Sequence, residues 1–276
     1  MKFISFTLSL FFCLLFLPAH AQFWDLAVGT GVSGYAGDLR PDFGLQKLNP
    51  VGYGWVKINA TPHWGFRFSI LKTQVEASDA DAPYVWMRNR NLNFVSNITE
   101  TAALAEFNFF KYITGQKRHN HTPFIFSGLS RFRFDPTAMV DGQKVDLRPL
   151  GTEGQGLDSF PGRSIYGQYA LSIPFGIGYR YNFKGMHSFS FEISGRYALT
   201  DYLDDVSLTY PGYTYMSQSR SPLSAQMSDR SEELGLPRNI AGAQRGINSY
   251  NDIYWYAGVS YILTLKSGRC FGMEQR

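Results

Sequence analysis

Eight stretches of about ten residues alternate large apolar side chains with small or polar ones, and short and long connections alternate between them. Period-two alternation is the signature of a strand with two different faces. Residues 26–35 set Leu26, Val28 and Val32 against Ala27, Gly29, Gly31 and Ser33, and 51–60 put Val51, Tyr53 and Trp55 on one face. Residues 64–75 set Trp64, Phe66, Phe68 and Ile70 against Gly65, Arg67 and Ser69. The run 92–109 is longer and less regular, which predicts a bulge. Residues 123–134 carry Phe124, Phe126, Phe132 and Phe134 on one face and Arg131 and Arg133 on the other. Residues 168–181, 188–200 and 253–265 repeat the pattern around Phe175, Phe191 and Val259. The connections 61–63, 110–122 and 182–187 are short, whereas 36–50, 76–91, 135–164 and 201–252 are long.

Runs of ten residues suit tilted strands crossing a bilayer, and a membrane barrel has short turns at one end and long loops at the other. Spanning requires closure, because an open sheet edge has no hydrogen-bond partner in lipid. The expected fold is therefore all-β: a transmembrane antiparallel up-and-down barrel of about eight strands, with long external loops and short periplasmic turns. Composition agrees. Only 17% of residues are charged while 16% are aromatic, against about 25% charged in soluble proteins. A disordered chain is excluded by the aromatics. A soluble barrel would reverse the polarity of its faces, and a wide aromatic outer face is an aggregation hazard in water. Trp24, Trp55, Trp64, Trp255, Tyr179 and Tyr181 lie near run ends, where interfacial girdles belong.

The amino terminus reads as a targeting segment. Met1-Lys2 is positive, Phe3 to Pro18 is mainly apolar, and Ala19-His20-Ala21 fits an A-x-A cleavage site. A signal peptide over residues 1–21, cleaved after Ala21, would leave residues 22–276 as one outer-membrane barrel domain. Of the two cysteines, Cys13 would leave with the peptide and Cys270 would remain.

Polar residues assigned to the inward face are Arg67, Glu100, Glu106, Arg131, Arg133, Arg180, Glu192 and Arg196. An eight-stranded barrel is just wide enough for side chains to fill it, so these predict a lumen ion-pair network that plugs the barrel. The periplasmic rim is basic, with Lys111, Lys117, Arg118, Lys184, Lys266, Arg269 and Arg276 against Asp25 and Glu274. It reads equally as solvated turn charge or as a docking face. The net charge of +4 is too small and too dispersed for nucleic acid.

Catalytic and cofactor motifs are weak. Gly29 to Gly34 matches G-x-G-x-x-G but sits within a strand with no helix following, so its glycines serve packing. His63, His119, His121 and His187 all fall at predicted periplasmic turns, so a Ser/His/Asp constellation at the external face lacks its base. Asp201, Asp204 and Asp205 cluster where the seventh run ends. Calcium is a weaker reading there than hydrogen bonding to nearby amides. No enzyme activity, metal or cofactor is expected.

Five segments carry a family resemblance: Tyr35-Ala36-Gly37-Asp38-Leu39, Arg90 to Phe94, Glu106 to Phe110, Pro149-Leu150-Gly151-Thr152-Glu153-Gly154-Gln155-Gly156, and Thr200 to Ser207. In order and spacing the chain resembles the PorG-like outer-membrane barrels of the type IX secretion system. The resemblance implies a non-enzymatic component of that machine, embedded in outer-membrane lipid and associated with the periplasmic ring of PorK and PorN, which favours docking at the basic rim. It assigns no role to the external motifs containing Gly151, Thr152, Glu153, Gly154, Asp201, Asp204 and Asp205; bracing of the loops and contact with another surface protein both remain open. It is weakest over 210–245, where Pro222 to Gly235 suggests a short helix. A general OmpA- or OmpW-like barrel, serving adhesion or small apolar solutes, is the alternative function.

Overall fold

Every alternating run forms a strand, because each can bury one face only by joining a curved sheet. The computed structural model describes residues 23–43, 45–140 and 142–266; the proposed signal peptide lies outside them, as do Arg269, Cys270, Glu274 and Arg276. In chain order the strands are β1 (Phe23–Ala36), β2 (Asn49–Asn59), β3 (Trp64–Ser78), β4 (Asn93–Asn108), β5 (His121–Arg133), a short hairpin β6 (Pro136–Val140) and β7 (Gln143–Asp146), then β8 (Tyr169–Lys184), β9 (His187–Ala198) and β10 (Ile253–Lys266). Eight of them, β1–β5 and β8–β10, make a closed antiparallel barrel. β10 pairs back onto β1 from Phe23↔Lys266 to Ala36↔Ile253, and the β3–β4 ladder completes the ring. The hairpin extends β5 beyond the wall and rests on β4 through Val95↔Thr137.

Register fixes the barrel's shape. The row Leu26, Val56, Phe68, Ala103, Leu129, Ile173, Tyr197, Ile253 steps from strand to strand and meets β1 again at Ala36, ten residues from its start. Such a shear on eight strands implies a tilt of about 40° and an interior that side chains fill.

The outer wall is apolar: Phe66, Phe68 and Ile70 of β3, Ile173, Phe175 and Ile177 of β8, and Phe189, Phe191 and Ile193 of β9 are all exposed. Trp24, Trp64, Tyr179 and Tyr181 face outward near the short-turn end.

The sequence pattern misleads in three strands. In β2 the aromatic face turns inward, and Val51, Tyr53 and Trp55 are buried, so Trp55 belongs to no girdle. In β5 the same inversion buries Phe124, Phe126, Phe132 and Phe134 and leaves Arg131 and Arg133 outside. The reason is steric. The rings of Phe126 and Phe124 lie where side chains on Gly176 and Gly178 would be, so the glycine stretch of β8 makes room for aromatics from β5. Third, β4 has no bulge: its register with β3 is unbroken from Trp64↔Phe107 to Ser78↔Asn93. Its alternation looks irregular because the outward residues Thr99, Thr101, Ala103 and Ala105 are small, while Ile98 and Leu104 point inward. Trp255 keeps its outward phase but lies flat against Gly34 and is only 9% exposed.

The long loops close one mouth. They hold α1 (Val85–Arg90), α2 (Tyr213–Ser219) and α3 (Pro222–Ser228). α3 starts on Ser221, whose hydroxyl accepts from the Ser224 amide, with Pro222 at its first position; it falls within the segment expected to be helical. Leu39, Leu147, Leu203, Val206 and Met227 from the loops pack on Phe94, Phe132 and Tyr254 from the wall in one buried cluster.

Gly178→Val should therefore block folding of the barrel. Its Cβ would fall 2.7 Å from the Phe191 carbonyl oxygen and against the Phe124 ring, and overpacking of this kind costs about 1–3 kcal/mol or more. Heat-modifiable gel migration of refolded protein checks it, with loss of the compact band expected.

Candidate functional site

Charged side chains cross the bore in three tiers. Nearest the short turns, Lys57 Nζ lies 3.2 Å from Asp25 Oδ2 and 2.9 Å from Glu106 Oε1, and Arg180 Nη1 lies 2.8 Å from the same Glu106 oxygen. In the middle, Arg67 donates to Glu192 through Nη1 at 2.8 Å and Nη2 at 3.3 Å, joining two opposite walls. Nearer the long loops, Arg196 Nε lies 3.1 Å from Glu100 Oε2. Tyr256 donates to Glu192 and Tyr254 to Glu100.

Every partner in these tiers is buried. Aromatic faces share the load: Arg67 sits 4.6 Å from the Phe126 centroid, Arg180 4.7 Å from Phe124 and Arg196 4.3 Å from Tyr256. Tyr112, from the β4–β5 connection, covers the turn end and meets the Ser188 hydroxyl at 2.8 Å. With charges neutralised and rings interleaved, the bore is a packed interior.

Six of the eight residues assigned to the lumen, Arg67, Glu100, Glu106, Arg180, Glu192 and Arg196, meet there. Arg131 and Arg133 do not; they stand on the outer wall because four phenylalanines take the inner face of β5. Asp25 is a second correction. Instead of lining the rim it is buried, accepting from Thr264 Oγ1 at 2.7 Å and Asn59 Nδ2 at 2.9 Å. Lys57 escaped the sequence reading, since β2 was phased by its aromatic residues; its position between Val56 and Ile58 was the available signal. The exposed basic residues Lys111, Lys117, Arg118 and Lys184 do lie at the turn end, and Lys266 ends β10.

The two loop motifs are brought together over the other mouth. Thr152 Oγ1 donates to Asp205 Oδ2 at 2.6 Å, and Tyr166 OH donates to Asp205 Oδ1 at 2.6 Å. Glu153 Oε1 accepts from the Ser207 and Leu208 amides, both at 3.0 Å. Arg245 links the motifs, donating to Glu153 Oε1 at 3.0 Å and to the Asp205 carbonyl at 2.7 Å. Asp205 has φ 67° and Gly154 φ 81°, left-handed conformations that Asp tolerates and Gly favours. Arg245 lay in the stretch with least resemblance, so sequence gave it no role.

A second acidic group lies beside this brace. The Tyr35 hydroxyl is 2.6 Å from Asp204 Oδ2 and 2.8 Å from Asp252 Oδ1. It has one proton to give, so both contacts are hydrogen bonds only when one carboxyl is protonated. Asp38 accepts from the Ile247 amide at 3.0 Å, Asp204 from Val206 and Asp252 from Leu203, both at 2.9 Å. These aspartates thus cap loop amides. Burial is the main cause that raises them all. Asp38 and Asp201 are pushed up to about 7 and Asp205 to about 6; Asp204 and Asp252 are also raised, each by burial and then by neighbouring aspartates.

The sign follows from linkage. An unfolded aspartate titrates near 3.9, so between about pH 4 and 7 the folded mouth binds more protons than the unfolded chain. Stability contributed by protonation is present below that window and is lost as pH rises through it. Amide exchange at Ser207, Leu208 and Ile247, corrected for intrinsic rate, should be faster at pH 8 than at pH 5; equal protection would contradict this.

Within the bore, Glu106→Gln should cost most, because it strands Arg180 and leaves Lys57 with Asp25 alone. Losing one partner of a buried pair costs about 3–5 kcal/mol. Urea unfolding in micelles should show that loss, with part of it recovered when Arg180→Met is added.

A family model described as "Domain of unknown function (DUF6089)" matches residues 4–149. No curated protein matches the chain. Among solved structures, the chain is similar to the N-terminal β-barrel domain of Pseudomonas aeruginosa OprF, with 10% identity and a TM-score of 0.38, covering 89% of this chain and 98% of that one. It is also similar to Neisserial surface protein A, with 11% identity, a TM-score of 0.40 and coverage of 87% and 96%. The attachment invasion locus protein Ail of Yersinia pestis matches at 9% identity and a TM-score of 0.39, with coverage of 88% and 99%.

Proposed function

We propose, for a chain that belongs to the family described as Domain of unknown function (DUF6089), a role as a non-catalytic outer-membrane barrel that serves the type IX secretion system by anchoring or assisting its periplasmic PorK/PorN ring. The observation that carries the membrane part is the outer wall. Phenylalanine, isoleucine and leucine stand exposed on strand after strand of a closed cylinder, which is costly in water and favourable among acyl chains. Closure satisfies the backbone within the wall. The long-loop end then faces outward and the short-turn end faces the periplasm.

The bore, filled by ion pairs and rings, supports a structural role over conduction. The ring assignment draws on the resemblance of the loop motifs, and on Lys111, Lys117, Arg118 and Lys184, which are exposed together at the periplasmic end. These cations suit an acidic protein surface.

Deletion of the gene should leave secretion cargo in the periplasm. A photo-cross-linker at Lys117 should capture a ring protein, and Lys111→Glu with Arg118→Glu should abolish capture while the barrel stays folded. Normal surface cargo together with no captured ring protein would overturn the ring assignment and favour a general OmpA- or OmpW-like barrel.

A further inference from the structure

Three cations stand on the outer wall, away from the lumen network. Lys72 of β3 and Arg131 and Arg133 of β5 are exposed. Lys72 pairs across the ladder with Thr99, and Thr99 with Arg133, so one row holds both cations. Arg131 occupies the next outward position, opposite Thr101, with its guanidinium 4.3 Å from the Tyr169 ring centroid. Among the described residues neither Lys72 nor Arg131 has an ion-pair partner, and Arg133 has only the partly exposed Asp135 at 3.8 Å. Glu76, four positions beyond Lys72 on β3, is a half-buried carboxylate on the same outward face.

Height places the patch. Lys72 is eight residues from Trp64 on the same strand. At ~3.3 Å per residue and a tilt of about 40° it stands ~20 Å above that ring, near the top of an apolar belt ~25 Å tall.

A groove leads to it. Small outward positions at Gly54 and Ala103 flank Phe68 and Ile70, leaving a transverse depression of about 880 Å³ in which Arg131 is, among the described residues, the one charged lining residue. A groove alone would hold any acyl chain, and a basic rim alone would attract any anionic surface. Their meeting at Arg131 joins the two halves of a lipid.

We propose that this outer face binds a lipid bearing a phosphate monoester, with an acyl chain in the groove and the phosphate held by Lys72, Arg131 and Arg133. The inference rests on the membrane-barrel reading and is independent of the ring. A monoester carries about −1.5 to −2 charges, which matches two unpaired cations and one shared with Asp135 better than a singly charged diester does. Arginine forks suit phosphate oxygens.

The test is native mass spectrometry of the full chain folded in uncharged detergent, titrated with monophosphoryl lipid A, its dephosphorylated form and dioleoyl phosphatidylglycerol. Monophosphoryl lipid A should bind at least tenfold more tightly than either. Lys72→Ser with Arg131→Ser and Arg133→Ser should weaken it about a hundredfold, near fivefold per cation. Ala103→Trp, which fills the groove and keeps every charge, should also weaken it and decides the matter if the triple variant does not fold. Lys117→Ser with Arg118→Ser, at the opposite end, should change nothing. Equal binding of the three lipids, or equal loss from the Lys117/Arg118 variant, would overturn the site. Failure of the wild-type chain to give a heat-modifiable barrel in micelles would instead overturn the membrane reading beneath it.

Discussion

A strand ladder that closes on itself, with a shear of ten, sets one bore radius for the whole molecule, and every inward residue must fit it. The space admits either a large side chain facing glycine or two charges facing each other. Both solutions occur. Gly176 and Gly178 face Phe126 and Phe124, while Arg67 and Glu192 span the full width. The two are coupled, since the rings that fill the gaps also pack against the guanidinium groups of Arg67 and Arg180. Desolvated charge in such a bore is tolerable only because each ion meets a partner of opposite sign and further hydrogen bonds.

The same closure orders the ends. Short turns keep the basic side chains of one rim near the wall, and Tyr112 seals that end from within. At the other end four connections are long enough to fold over the opening. There the order comes from polar links: Glu153 accepts from Ser207 and Leu208, Arg245 ties Glu153 to Asp205, and Arg90 joins Asp79 at 2.7 Å while donating to the Asp38 carbonyl at 2.9 Å. The buried aspartates make this cap responsive to pH.

Strand number, connection lengths and antiparallel order were readable because they depend only on local alternation and on the positions of breaks. The phase of a strand was readable where one face was bulky and the other small, as in β3, β8 and β9. It failed in β2 and β5, where aromatics face inward. In β2 the one mark of the inversion is Lys57 between Val56 and Ile58; in β5 it depends on glycines in β8 and on Arg67 and Arg180, which lie far away in sequence. Lys57 and Arg245 were missed for the same reason, since their partners come from other strands and loops. The motifs around Glu153 and Asp205 stood out in sequence, but their mutual contact is a product of the fold.

Brominated-lipid quenching of two single-tryptophan variants tests the central claim most directly. In bilayers, a chain retaining only Trp64 should be strongly quenched, because that ring faces the acyl region's edge, whereas one retaining only Trp55, buried in the bore, should be nearly unaffected. Equal quenching of the two, or none in either, would contradict a closed barrel with an apolar outside and a packed inside.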